Sequence, residues 1–180
     1  TLIPRSAMKT IRSILIPGIA VLAMGTMFSS GSGNAAAGDA PARSIAPYFT
    51  PAKSQSVAPD RDGFLRRWLL LEPIPKPNRT NTVFTDTYVR NAMNTEYFPN
   101  QFTVIPRSGD KVTVGDQELT WHALDSANFN VKLFRFAYGL NKPTYGVLFW
   151  AVTVVDAPRE IANVRMAVGS NSASMWWLNG

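Results

Sequence analysis

Val147-Leu148-Phe149-Trp150-Ala151-Val152 is an unbroken apolar run in the C-terminal half of the chain. Successive side chains of a strand point to opposite faces of a sheet, so a run that is apolar at every position predicts a strand covered on both sides. The strand pattern continues to Val155, and Asp156-Ala157-Pro158 ends it with turn residues. The sequence therefore places this strand in the middle of a sheet.

Further strand-like segments, rich in β-branched and aromatic residues, flank this run. They recur at intervals of about 8–12 residues between turn residues, which predicts an all-β sandwich rather than an alternating α/β sheet. The predicted strands are residues 64–71, 101–105, 111–114, 119–124, 131–137, 147–155, 164–168 and 174–178. One short helix is predicted over residues 85–97, because apolar residues recur there at helical spacing and Pro99 follows.

The composition excludes several classes of site. The chain has 180 residues, of which 46% are apolar and 11% aromatic, enough for one domain with a buried core. It has no Cys, which excludes disulfides, Cys-ligated zinc, iron–sulfur clusters and thiol catalysis. Its one histidine, His122, excludes a multi-histidine metal site. After residue 37 the chain has 15 basic and 12 acidic residues, an excess too small and too dispersed to predict a nucleic-acid partner.

Residues 1–37 are predicted to comprise seven upstream residues and, from Met8, a secretory signal peptide with its features in the required order. Met8-Lys9-Thr10-Ile11-Arg12 is positively charged, residues 13–28 are uncharged and largely apolar, and Ala35-Ala36-Ala37 offers a small-residue cleavage site. The apolar run is shorter than the roughly 20 residues of a spanning helix, and a Pro-Gly pair lies in its middle. The sequence thus predicts export to the periplasm or the exterior and no membrane anchor.

Two segments follow the predicted signal. Residues 38–62 are rich in Ala, Pro and Ser and show no periodic pattern, which predicts a surface linker. Residues 63–180 form the predicted folded module. Asn179-Gly180 directly after an apolar strand is a strong signal for a two-residue hairpin turn. We therefore expect a returning strand after Gly180 and an incomplete, C-terminally truncated sandwich.

Three segments resemble parts of a known module. Val164-Arg165-Met166-Ala167-Val168-Gly169-Ser170-Asn171, followed by Met175-Trp176-Trp177-Leu178-Asn179-Gly180, resembles the penultimate hairpin of galactose-binding-like jelly-roll modules. Residues 62–73 resemble the opening strand of these modules, and residues 121–126 resemble their Trp-containing segment. As a whole, residues 62–180 are similar to the N-terminal module of bacterial acetylxylan esterase-type enzymes, which are secreted to degrade polysaccharides.

The resemblance implies a jelly-roll β-sandwich that is a non-catalytic accessory module of an exported hydrolase. The implied partners are a downstream catalytic domain of the same chain and a plant-type polysaccharide. One alternative from a different class stays open, namely a purely structural domain that braces the catalytic domain and has no affinity for sugars.

Trp176 and Trp177 are the candidate carbohydrate-binding residues, with Asn179 as a neighbouring hydrogen-bonding group. On a strand, adjacent side chains point to opposite faces, so one indole is expected in the core and the other outside. An outward indole can stack on the apolar face of a sugar ring. The alternative is that a neighbouring domain or strand covers the second ring.

No catalytic set is predicted in this chain. A nucleophile elbow needs Gly-x-Ser-x-Gly, and Gly169-Ser170-Asn171-Ser172 lacks the second glycine. His122 has no identified nucleophile beside it, which favours a structural role. Asp60-Arg61-Asp62-Gly63 is similar to the start of a calcium loop, but Leu71 occupies the position that requires Glu. The sequence indicates no metal or cofactor, although a structural calcium ion stays open.

Overall fold

The computed structural model describes residues 13–17, 21–22, 43–54, 56–76 and 85–179, the first two ranges by their backbone alone. These residues form a β-rich fold of antiparallel sheets with two short helices. The strands are β1 (Ser13–Pro17), β2 (Val21–Leu22), β3 (Phe49–Pro51), β4 (Arg67–Leu71), β5 (Ile74–Pro75), β6 (Lys111–Val114), β7 (Gln117–Ser126), β8 (Val147–Phe149) and β9 (Ala151–Asp156). The helices are α1 (Asp86–Asn94) and α2 (Leu133–Gly139).

The strands belong to two sheets. The main sheet has the order β1-β9-β4-β7-β3, and β6 also pairs with β7 through a tight turn that contains Gly115 at positive φ. The small sheet has the order β2-β8-β5. Strands β1 and β2 belong to the predicted signal peptide, and β3 to the predicted linker. The other residues of the predicted signal, and linker residues 38–42, lie outside the described residues, so export stays a prediction.

The predicted central strand is confirmed, and it passes from one sheet to the other at Trp150. In the main sheet Leu70 pairs with Ala151, while in the small sheet Ile74 pairs with Leu148. Between these pairs the N–H of Leu71 donates to the carbonyl oxygen of Trp150 at 2.9 Å. Glu72 and Pro73 therefore both stand opposite the single residue Phe149. Two residues opposite one are the pattern of a β-bulge.

Two hydrophobic clusters cover opposite faces of the main sheet. The helix-1 cluster, which α1 covers, contains Leu71, Ile74, Ala92, Met93, Phe98, Leu119, Trp121, Leu148, Trp150 and Val152. The helix-2 cluster, which α2 covers, contains Phe49, Trp68, Leu70, Leu124, Leu133, Phe136, Ala137, Val147, Phe149 and Ala151. Residues 147–152 alternate between the two clusters, as a strand that is buried on both faces requires.

Helix α1 confirms the predicted helix, although it ends at Asn94. Its N-cap is Thr85, whose hydroxyl accepts the backbone N–H of Tyr88 at 3.2 Å. The carboxylate of Asp86 pairs with Arg90 one turn later, with Nε and Oδ2 2.7 Å apart. The helix stops there because the backbone of Thr95 is extended, with ψ 128°, and the hydroxyl of Thr95 caps the end by donating to the carbonyl of Asn91 at 2.7 Å.

The predicted strand over residues 131–137 is wrong, because these residues enter helix α2. Leu133, Phe136 and Ala137 are the buried residues of α2, and their spacing is that of one helical face. The chain therefore has two helices among the described residues, not one. Val131 lies before the helix and packs against the helix-2 cluster.

Three further predicted strands do not form. Residues 101–105 are in a turn, in which Asn100 has positive φ and its carbonyl oxygen accepts the N–H groups of Thr103 and Val104. Residues 164–168 and 174–178 are irregular, because no strand ladder within the described part of the chain includes them. Strand β4 begins at Arg67 rather than residue 64, since the turn at Asp60 binds the N–H of Phe64.

Candidate functional site

The candidate residues Trp176 and Trp177 pack against different hydrophobic clusters. The ring centroid of Trp177 lies 5.0 Å from that of Trp150 and 5.3 Å from that of Phe102, on the helix-1 side. Trp176 packs against the helix-2 cluster, and its indole N–H donates to the hydroxyl of Ser174 at 3.2 Å. Both indoles are half-buried. Neither ring is fully buried or fully exposed, so part of each indole stays accessible to a ligand.

Asn179 is exposed and has φ 60°, the backbone conformation that the predicted hairpin turn requires. The second turn residue, Gly180, lies outside the described residues. The role of Asn179 and the two indoles in binding sugar stays a prediction.

An exposed aromatic patch, formed by Phe134, Tyr138 and Tyr145, was missed by the sequence analysis. The three side chains are 38%, 40% and 54% exposed. The rings of Phe134 and Tyr138 are parallel within 10°, with centroids 6.4 Å apart, and that of Tyr145 lies 5.7 Å from Phe134. Because α2 buries its opposite face, positions i and i+4 stay together on the outside. Recognition of the helix would have revealed this pair.

Residues 43–48 lie directly against the end of α2, because Gly139 has no side chain. A Cβ at this position would lie 2.5–2.7 Å from backbone atoms of Ser44 and Ile45. Such a distance is shorter than any van der Waals contact, so glycine is required for this close approach. The approach carries Phe49 into the helix-2 cluster, where its ring contacts Phe136 edge to face at 6.1 Å.

Between this segment and α2 is an open cavity of about 310 Å³, which we call the arginine pocket. Its lining residues are Arg43, Ser44, Ala46, Pro47, Tyr48, Arg135 and Tyr138. The guanidinium carbon of Arg43 lies 4.7 Å from the ring centroid of Tyr138, and that of Arg135 lies 5.0 Å from Tyr48. These are cation–π distances. Tyr138 belongs to both the pocket and the aromatic patch, so the two form one continuous surface.

The bulge between β4 and β5 buries the carboxylate of Glu72. Its Oε2 accepts hydrogen bonds from Lys142 Nζ at 2.9 Å and from the backbone N–H of Thr120 at 3.3 Å. Its Oε1 lies 3.7 Å from His122 Nε2, which is too long for a hydrogen bond. This cluster was not predictable from the sequence, in which Glu72 stands isolated before Pro73 and its partners are distant. The carboxylate of Glu72 thus links the bulge to strand β7 and to the loop after α2.

His122 is half-buried, and its ring meets that of Phe136 edge to face at 5.5 Å. Burial lowers the pKa of the imidazole below its ordinary value, and the charge of Lys142 acts in the same direction. The nearby carboxylate of Glu72 raises this pKa, but it does not outweigh burial. His122 therefore stays neutral at physiological pH.

We expect the protein to lose stability as the pH falls below about 6.5, because the unfolded chain then binds a proton that the folded chain does not. His122 is the only histidine, so no other imidazole titrates in this range. The measurement is the free energy of unfolding between pH 7.5 and the lowered pKa, for the wild type and for His122→Gln. The free energy of unfolding of His122→Gln should depend less on pH in this range than that of the wild type. Identical slopes would contradict the assignment.

The loop that is similar to a calcium site uses its first carboxylate in a local turn. Asp60 Oδ1 accepts the N–H groups of Asp62 and Phe64 at 3.0 and 2.9 Å, and Oδ2 pairs with Arg66. The hydrogen bond from Phe64 and those from Arg66 and Asp62 lower the pKa of Asp60, although desolvation opposes them. Within the described ranges, no three His, Asp or Glu side chains cluster as metal ligands.

Comparison of the chain with protein-family models, curated proteins and solved structures found no match in any of the three. Neither helix in the described part of the chain is long and apolar enough to cross a membrane. Helix α2, residues 43–48 and Tyr145 together build the surface with the largest number of exposed aromatic rings and an adjoining pocket in the described part of the chain.

Proposed function

We propose that this chain is a non-catalytic, carbohydrate-binding accessory module of an exported polysaccharide-active hydrolase, with an acetylxylan esterase as the favoured enzyme. The observation that carries the proposal is the aromatic patch. Phe134 and Tyr138 remain exposed on one face of α2, where a folded chain normally places polar side chains, and the exposed ring of Tyr145 contacts Phe134 from the following loop.

An aromatic ring face suits the C–H surface of a pyranose, and polar groups at its rim can fix the orientation of the sugar hydroxyls. Tyr138 and Tyr145 each offer both features, since a phenol has an apolar ring and a hydroxyl that donates and accepts. The half-buried indoles of Trp176 and Trp177, which pack against different clusters, and the exposed Asn179 are further candidates for contact with the sugar. The module would hold its catalytic domain against the polysaccharide without any covalent step.

The jelly-roll sandwich is part of the same proposal. Residues 164–168 alternate apolar and other side chains as a strand does, and Val164, Met166 and Val168 are exposed. We propose that a further strand pairs with this segment in the jelly-roll module and that the neighbour of the module is a catalytic domain of the same exported hydrolase. The resemblance of residues 164–180 to the jelly-roll hairpin supports this assignment.

The test is a calorimetric titration of the chain with xylohexaose, for the wild type, two variants and one control variant. Tyr145→Ala should weaken binding about tenfold, which corresponds to about 1.4 kcal/mol. Trp176→Ala should weaken binding only if the second surface contributes. Phe129→Ala is the matched control, because Phe129 is also exposed but contacts Phe64 away from the patch.

A structural bracing domain is the second candidate, and one observation favours it. An apolar row is exposed along the C-terminal segment, formed by Ile161, Val164, Met166, Val168 and Leu178. Apolar surface of this kind is typical of an interface with another domain. Absence of xylohexaose binding at millimolar concentration would contradict the carbohydrate-binding proposal and favour this candidate.

A further inference from the structure

The two segments of the described chain that build the arginine pocket carry cations and no acids. Residues 127–155 contain Lys132, Arg135 and Lys142 but no Asp or Glu, and residues 43–53 contain Arg43 and Lys53, again without an acid. Lys142 pairs with the buried Glu72. Within the described residues, Arg43 and Arg135 form no ion pair. In the described part of the chain, two guanidinium groups therefore line one pocket without a carboxylate paired to either.

The tyrosine rings orient these guanidinium groups. The guanidinium carbon of Arg43 lies over the ring of Tyr138, and that of Arg135 lies over the ring of Tyr48. A guanidinium that stacks through its flat face keeps the N–H donors of its edge free, and these donors match the two oxygens of a carboxylate. Because stacking already limits the rotamers of both side chains, binding an anion costs less conformational entropy than it would with free arginines.

The rest of the pocket suits a sugar ring rather than a small inorganic anion. Its other walls are apolar or weakly polar, formed by Ala46, Pro47 and the ring of Tyr48. The volume of about 310 Å³ is that of a site for a small organic ring. The shared ring of Tyr138 joins the pocket to the aromatic patch, so adjacent residues of one glycan could contact both.

We propose that the arginine pocket binds a uronic acid residue, whose carboxylate pairs with Arg43 and Arg135 while neighbouring neutral sugars stack on the aromatic patch. This inference rests on the proposed carbohydrate-binding function and adds the class of glycan, namely an acidic polysaccharide. Binding is reversible and involves no bond making or breaking.

The experiment compares two xylo-oligosaccharides of equal backbone length, one with a single glucuronic acid branch and one without, by calorimetry on the full chain. The wild type should bind the branched sugar about tenfold more tightly, with a difference that shrinks as salt rises. Arg135→Gln and Arg43→Gln should each remove most of this preference. Arg107→Gln is the matched control, because it removes the same charge from an exposed residue outside the pocket.

The outcomes separate the two proposals. Equal affinity for both sugars, or equal effects of Arg135→Gln and Arg107→Gln, would overturn the uronic acid assignment while carbohydrate binding stands. Displacement of the branched sugar by an equal concentration of inorganic phosphate would also overturn it, because the pocket would then bind any small anion. If neither sugar binds, both proposals fail. Thermal melting of each variant confirms that the fold is retained.

Discussion

Replacement of Trp150 by alanine is expected to lower the free energy of unfolding by about 3–5 kcal/mol, the usual cost of removing a large buried aromatic side chain. Trp150 lies where the central strand passes from the small sheet to the main sheet, and its side chain is almost fully buried. Its ring contacts Phe102 at 5.7 Å and Trp177 at 5.0 Å. Alanine would leave a cavity that strand β8 and the C-terminal segment both line.

Two variants make this prediction specific, and chemical denaturation measures all three. Trp150→Phe should cost much less than Trp150→Ala, because the ring is retained and the buried indole N–H has no hydrogen-bond partner in the described residues. Trp176→Ala removes an identical side chain from a half-buried position and should also cost less. Equal costs for Trp150→Ala and Trp176→Ala would contradict the placement of Trp150 in the core.

Gly139→Ala is expected to lower the free energy of unfolding by about 1–3 kcal/mol, the range for overpacking a close contact. The new Cβ would meet backbone atoms of Ser44 and Ile45, which cannot rotate away as a side chain can. Residues 43–48 must then move away from α2. This movement would widen the arginine pocket, which lies between them. The variant should therefore also lose the preference for the uronic acid branch.

Gly169→Ala is the control for Gly139→Ala, since no atom of the described residues other than Gly169 itself and its two chain neighbours lies within 4 Å of the Cβ that it adds. It should change the free energy of unfolding by less than about 0.5 kcal/mol. Limited trypsin digestion gives a second measurement, because cleavage after Arg43 should become faster in Gly139→Ala. Equal stability and equal cleavage rates for the two variants would show that the close approach does not exist.

Part of the fold was predictable from local patterns. The strand around Trp150 is apolar at every position, and helix α1 has a capping residue and a regular apolar spacing. The local sequence determines the structure of both segments, and the structure confirms both predictions. The predicted strands over residues 111–114 and 119–124 are confirmed as β6 and as part of β7.

Helix α2 was not predictable from the same rules. Residues 131–137 are apolar or aromatic at most positions, so a short strand and a short helix fit them equally well. The choice is made by tertiary packing, because Leu133, Phe136 and Ala137 fit the helix-2 cluster on one helical face. The pattern of residues 164–168 is similarly typical of a strand, but a strand needs a hydrogen-bonded partner that no local pattern supplies.

The candidate site was largely unpredictable from the sequence for the same reason, because tertiary packing brings its residues together. Trp176 and Trp177 stood out because adjacent indoles on a strand pattern are conspicuous. The arginine pocket joins Arg43 and Arg135 from distant parts of the chain, and it depends on a close backbone approach at Gly139. Neither arginine has a motif around it, so only their juxtaposition in three dimensions reveals the pocket.

The most direct test of carbohydrate binding by the α2 surface is heteronuclear NMR of the ¹⁵N-labelled chain. The chain is titrated with the xylo-oligosaccharide that carries one glucuronic acid branch. We predict concentration-dependent shifts of the backbone amides in α2, Tyr145 and residues 44–48, and unchanged amides in α1 on the opposite face of the main sheet. An unchanged spectrum, or shifts confined to α1, would contradict binding at this surface.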